Sequence, residues 1–269
     1  MFGKLLKYDF KALFKAHIGM YIFVLITGLT VMFSNILEKI NPGNIFSMFF
    51  GELLMGLFVL SAVAIVVISF VVCILRYRKN VLKDEGYLTH TLPVMSWQIH
   101  VSKILMSALY MYITVVVIYL ISSLAQLDIT WGVDVCKMLN AEMTAQGMDL
   151  FLVFMGIILA VYPFLMYSYI FACLCMGYRM SGNKDLMSFV AYLIFNVINQ
   201  VLSFILIVIA GFSQFGNIFT ADIYTMEMTE APVEFMNIIM AGSLILNIVM
   251  IVIYNALSVR TLDKKLNLE

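Results

Sequence analysis

The sequence predicts an all-α polytopic membrane protein of six transmembrane helices, and three observations predict it. Of the 269 residues, 63% are hydrophobic and 12% are charged, with a mean hydropathy of +1.01. A soluble domain carries about 25% charged residues, so this chain has too little polar surface to clothe a globule in water. Six apolar runs, 18–33, 53–75, 104–125, 150–176, 186–212 and 235–259, approach or exceed the length that crosses a bilayer. A hydrocarbon core of about 30 Å needs roughly 20 such residues per helix. Finally, the 16 Lys and Arg are unevenly placed although the formal net charge is zero. With the N-terminus inside, fourteen of them fall on inner segments, and only Lys39 and Lys137 fall on outer ones. The acids lean the other way, six inside and ten outside. This positive-inside pattern predicts both termini in the cytoplasm.

Helices are the expected spans because an unpaired strand edge is not tolerated in lipid. The chain reads as a single transmembrane domain over 1–269, since the longest gap between runs is too short to fold alone. The first run follows a 17-residue lead and lacks a small-residue exit site, so it reads as an uncleaved span.

Residues 1–15 predict a basic amphipathic helix lying in the inner interface. Lys4, Lys7, Lys11 and Lys15 share one face, opposite Phe2, Leu5, Leu6, Phe10 and Leu13. Asp9 falls in the middle of the apolar face, where a carboxylate requires hydration or a partner. The readings are a locally wet helix end, or an ion pair to a basic residue such as Arg76 or Arg78 that locks this helix to the second span.

The outer segments 34–52, 126–149 and 213–234 read as loops. The last holds Asp222, Glu227, Glu230 and Glu234, with Phe215, Ile218, Phe219, Ile223 and Tyr224 near helical spacing. It predicts a re-entrant or interfacial helix. Pro163 predicts a kink in the fourth span, because it frees the carbonyl of Leu159.

Within the fifth run, Asn196, Asn199 and Gln200 stand at i, i+3 and i+4 and share a face. Asn247 and Asn255 lie in the sixth. Amides in hydrocarbon must pair. They read either as interhelical glue or, for Asn196, Asn199, Gln200 and Asn247, as a translocation path or subunit seam.

No ionisable residue is expected well inside a span, which argues against ion-coupled transport. His17, His90 and His100 are placed on the inner side, far apart in sequence. There is no HExxH and no nucleophile elbow, so no catalytic site and no metal site are expected. The stretch from Gly177 to Asp185 resembles a phosphate loop, but Asn183 stands where a Lys is required. Cys73, Cys173 and Cys175 fall in apolar runs, Cys136 stands alone outside, and no disulfide framework follows.

The long polar segment on the basic side, 76–103, reads RYRKNVLKDEGYLTHTLPVMSWQIHVSK. Arg76, Arg78, Lys79 and Lys83 anchor the second span. A turn at Asp84, Glu85 and Gly86 leads into Tyr87, Leu88, Thr89, His90, Thr91 and Leu92, which Pro93 ends. Ser96 is placed to cap the third span, with Trp97 at the headgroups. The segment reads either as a basic loop on anionic lipid or as a short helix that inserts into a soluble partner. Lipid binding accounts for the bases but not for Glu-Gly-Tyr-Leu-Thr or the proline stop.

The start KLLKYDFKALFK, the six spans and KDEGYLTHTLPVMSWQIHVSKIL together resemble the permease subunits of bacterial ABC-2-type exporters. They are most similar to the small permeases found beside peptide-toxin, lantibiotic-immunity and antibiotic-resistance ATPases. The resemblance implies that 84–92 is a coupling helix docking in a separate ABC ATPase, which binds the ATP and Mg. It implies that 1–15 is an elbow helix, carrying Lys4, Lys7, Asp9 and Lys11. It further implies a second permease copy or a sister permease, and the bacterial plasma membrane as location. The expected function is ATP-driven export of amphipathic peptides or hydrophobic antimicrobials, by a chain that is not itself an enzyme and contacts no nucleic acid. The alternatives are a permease for lipid or another small hydrophobic compound, and a non-transporting sensor or anchor that recruits a cytoplasmic protein.

Overall fold

The computed structural model describes residues 2–42, 45–83, 86, 94–128, 130–180, 182–220 and 230–264. Every described element is helical. In order these are α1 (Phe2–Ile40), α2 (Ile45–Tyr77), a π-helical turn (Arg78–Leu82), α3 (Ser96–Ala125), α4 (Trp131–Ala145), α5 (Asp149–Arg179), α6 (Lys184–Thr220) and α7 (Glu230–Lys264). Among the described residues, six helices are long and apolar enough to cross a membrane. They are Phe2–Ile40, Met48–Leu82, Ser96–Ala125, Asp149–Arg179, Lys184–Phe212 and Val233–Asp263, and each contains one of the expected runs.

Three expectations about boundaries are corrected. The interfacial helix over 1–15 and the first span are one uninterrupted helix of 39 residues, with no separate N-terminal element. At 1.5 Å per residue it is about 58 Å long, nearly twice a hydrocarbon core. No proline separates the two parts, and His17 ties the junction together by bonding back to the carbonyl of Leu13 (2.8 Å). The segment 126–149, expected as a loop, is largely the 15-residue helix α4. Its start is fixed by Asp128, whose Oδ1 accepts from both the N–H and the hydroxyl of Thr130 (2.8 Å each). Its end is fixed by Gly147, at φ 71°, while Met148 N–H closes on Met143 O (3.0 Å). That left-handed C-terminal stop favours glycine. Lastly, Ser96 does not cap α3: the cap is Met95, without a side-chain hydrogen bond, and Ser96 is the first helical residue.

Helix α5 runs on through Pro163. Helix α6 continues past its expected end to Thr220. Most of the rest of the acidic segment 213–234, residues 221–229, lies outside the described residues.

The chain divides into two compact units, residues 1–79 with 93–138, and residues 80–92 with 139–269. In the first, α1, α2 and α3 all pack on one another. Their core is Val24, Val31, Phe58, Ile65, Ile121 and Ala125. Gly28 permits the approach of α3, because a Cβ there would collide with Ile121. In the second, α5, α6 and α7 do the same around Tyr169, Ala172, Cys173, Ala191, Met250 and Tyr254. Outward faces stay apolar: Leu60, Phe204 and Val252 are all more than 60% exposed. In water such surface would drive aggregation; in a bilayer it is the face that lipid covers.

Candidate functional site

The polar groups of the first unit line the inner face of α1. Asp9, Leu13 and His17 recur every four residues, so one stripe faces the neighbouring helices. Lys4, Lys7, Lys11 and Lys15 are exposed on other sides.

Asp9 is only 4% exposed. Its carboxylate forms a buried ion pair with Lys103 of α3 and accepts from the Ser102 hydroxyl at 3.2 Å. The expected ion pair to a basic residue is present, and its partner is corrected: it is not Arg76 or Arg78 of the second span but a lysine of the third. Helical geometry on α3 dictates this outcome. Lys103 lies four residues after Ile99 and four before Ser107, all buried, so it faces the same seam. Tyr110, one helical repeat further along, donates to Phe10 O (2.8 Å) and fastens the two helices beside the pair. On the same seam, Tyr77 of α2 bonds buried His100 of α3 at 2.9 Å.

About two turns above Asp9 is His17, completely buried. Its Nδ1 lies 2.8 Å from Leu13 O, and its Nε2 lies 2.8 Å from Ser69 Oγ of α2. A carbonyl only accepts, so Nδ1 carries the hydrogen, and Nε2 of the neutral ring accepts from Ser69. Thr114 of α3 gives its proton to Tyr110 O (2.8 Å) while lying 3.3 Å from Ser69 Oγ. Tyr21 must then donate to Thr114 Oγ1 (3.1 Å). Ser69 and Thr114 have then both spent their single protons, so their 3.3 Å approach carries no hydrogen bond, and the polar chain is two links: Ser69 to His17 between α2 and α1, and Tyr21 to Thr114 between α1 and α3.

Ser69 and Thr114 belong to the second and third apolar runs, so His17, which precedes the first run in the sequence, sits at the level of the other two. Ser69 is seven residues from Arg76, about 10 Å along the helix. The sequence misplaced His17 because the first apolar run begins one residue after it. The four-residue spacing from Asp9 was the signal that placed both on one face.

Between α1, α2 and α3, at the Asp9 level, is a narrow cleft lined by Asp9, Leu13, Cys73, Arg76, Tyr77, Lys103, Met106 and Ser107. Arg76 is half-buried, and its Nε–H is sealed from solvent with no hydrogen-bond partner.

In the second unit the amides of α6 divide. Asn199 accepts from the Tyr254 hydroxyl of α7 (2.7 Å). Asn196 accepts from Gln200 Nε2, one turn along the same helix (2.9 Å), while the Tyr169 hydroxyl of α5 donates to Tyr192 O of α6 (3.0 Å). Asn255 donates to Ser168 Oγ of α5 (3.1 Å). Asn199 and Asn255 therefore bridge helices of their own unit, while Gln200 is exposed. Asn247 is half-buried further along α7 and is not part of this group.

Of the segment 76–103, expected to face the cytoplasm, Asp84, Glu85, Tyr87, Leu88, Thr89, His90 and Leu92 lie outside the described residues. Gly86 is described: its N–H closes a turn on Lys83 O (2.6 Å). The cysteines are free, with Cys73, Cys173 and Cys175 buried and Cys136 exposed. Among the described residues, no three His, Cys, Asp or Glu group together as a metal would require.

The chain matches no family model, no curated protein and no solved structure.

Proposed function

We propose that this chain is the transmembrane subunit of an ATP-driven exporter of the ABC-2 type, in a bacterial plasma membrane with both termini cytoplasmic. The observation that carries the reading is the segment KDEGYLTHTLPVMSWQIHVSK, set between two of six spans. A basic anchor, a short amphipathic stretch and a proline stop make a rigid handle for a soluble partner, and lipid binding alone does not require them.

In this reading 84–92 docks in a separate ABC ATPase, which holds ATP and Mg. Closure of two such ATPases moves two permease copies between inward and outward access. The cargo is an amphipathic peptide or a hydrophobic antimicrobial, which suits a chain containing 21 Met and 21 Phe, since Met surfaces adapt to varied partners. Gln200, exposed on an apolar helix, and the half-buried Asn247 are the amides left to meet cargo or a second permease.

The test is co-expression with the ABC ATPase encoded beside this chain, followed by affinity purification through the permease. The expected result is a stable complex whose ATPase activity rises with an amphipathic peptide, and which Leu88→Arg disrupts. No association, or association untouched by Leu88→Arg, overturns the coupling role and leaves a sensor or anchor.

A further inference from the structure

The cleft at the basic end of the first unit is lined by two cationic side chains, Arg76 and Lys103, and, among the described residues, by one carboxylate, Asp9. That carboxylate is already engaged by Lys103 and Ser102. Arg76 of α2 is left with a sealed, unpartnered Nε–H. A buried donor in this state costs about 1–3 kcal/mol unless something satisfies it. The cleft has room for about one oxygen-sized group beside this atom, which a single held water or one oxygen of an anchored anion fills, and the neighbouring cations favour the anion.

The chemistry of that group is narrow. Arg76 presents a planar fork of donors, which matches the paired oxygens of a carboxylate or phosphate. The floor of the cleft has room for about one oxygen-sized group, so the body of the ligand remains at the mouth. The exposed Lys4, Lys7 and Lys11 on the adjoining end of α1 add positive potential there. At the end of an apolar three-helix unit, the abundant anion is the phosphate of the headgroup layer. We infer that Arg76, supported by Lys103, holds a phosphate group with one non-bridging oxygen inserted between α1, α2 and α3. The site would tie a phospholipid to the seam that the Asp9–Lys103 pair closes. This inference is independent of the ATPase-coupled reading and is tested without an ATPase.

The full chain is purified in a maltoside detergent, which contains no phosphate. It is then offered phosphatidylglycerol, phosphatidylcholine or inorganic phosphate, with bound ligand counted by native mass spectrometry. The expected result is one phosphatidylglycerol per chain, with Arg76→Gln weakening retention about tenfold or more. Arg76→Lys, which keeps the charge but loses the fork, weakens it less. Arg260→Gln, which removes an exposed charge from the second unit, leaves it unchanged. Binding of phosphatidylcholine with the same Arg76 dependence identifies the phosphodiester as the recognised group, and binding of inorganic phosphate alone identifies a free anion as the source. The inference is overturned if no phosphate compound binds, or if Arg76→Gln and Arg260→Gln weaken binding equally. Should Arg76→Gln not fold, as read from lost helical circular dichroism, Arg76→Lys decides: undiminished retention overturns the fork.

Discussion

A carboxylate and an ammonium placed together inside a helix bundle depend on each other. Each costs several kcal/mol to desolvate, and only mutual contact offsets that cost. Asp9→Ala should therefore destabilise the protein by about 3–5 kcal/mol, because it removes the carboxylate that Lys103 meets in a buried seam. Asp9→Leu combined with Lys103→Met should recover most of the loss. Thermal unfolding in detergent reads both, and a double variant no better than the single would sink the argument. His17 is held differently, by neutral hydrogen bonds. His17→Phe leaves Ser69 without its acceptor and should cost about 1–3 kcal/mol. Lys15→Ala, exposed two residues away, should stay within about 0.5 kcal/mol. Equal effects in the two variants would show that the polar chain contributes nothing. Asp9 was conspicuous in the sequence as a charge on an apolar face. Its partner was not, because choosing between Arg76, Arg78 and Lys103 depends on how α1 and α3 register in three dimensions.

Elements were legible where composition alone decides them. The six spans follow from apolar runs and appear with shifted ends but in the right places. Helix α4 was missed because its residues, WGVDVCKMLNAEMTA, mix polar and apolar groups without a run. The signals that define it are local: the Asp128 turn before it and Gly147 after it. How closely helices approach was equally invisible, although glycines record it afterwards. At Gly177 of α5 a Cβ would strike the backbone of Ser188 of α6, whereas at Gly156 of the same helix it would meet open space. Gly177→Ala should thus cost about 1–3 kcal/mol by forcing α6 away. Gly156→Ala should be neutral or stabilise by up to about 1 kcal/mol through helix propensity. Thermal midpoints of the two variants check the pair, and a tolerated Gly177→Ala would mean that the α5–α6 contact is looser than described.

The whole molecule is two units of three long helices each, with most of the described buried polar side chains bonded inside their own unit and apolar side chains exposed on the helix faces. That arrangement does not set which way the chain crosses the membrane. Orientation rests on the placement of Lys and Arg, because basic segments near spans are retained in the cytoplasm. The cysteines provide a direct reading. Cys136 is exposed on α4, on a segment the charge asymmetry assigns to the outer side. Cys73, Cys173 and Cys175 are buried and should resist a polar reagent. A membrane-impermeant maleimide applied to intact cells should therefore label the native chain once, and Cys136→Ser should remove the label. A Lys137→Cys variant in a Cys136→Ser background should restore it, since Lys137 is exposed on the same helix. Labelling of Cys136 only after the cells are broken would reverse the topology. It would place both termini and the segment 76–103 outside, where no cytoplasmic motor could reach them, and so would remove the exporter reading with the orientation.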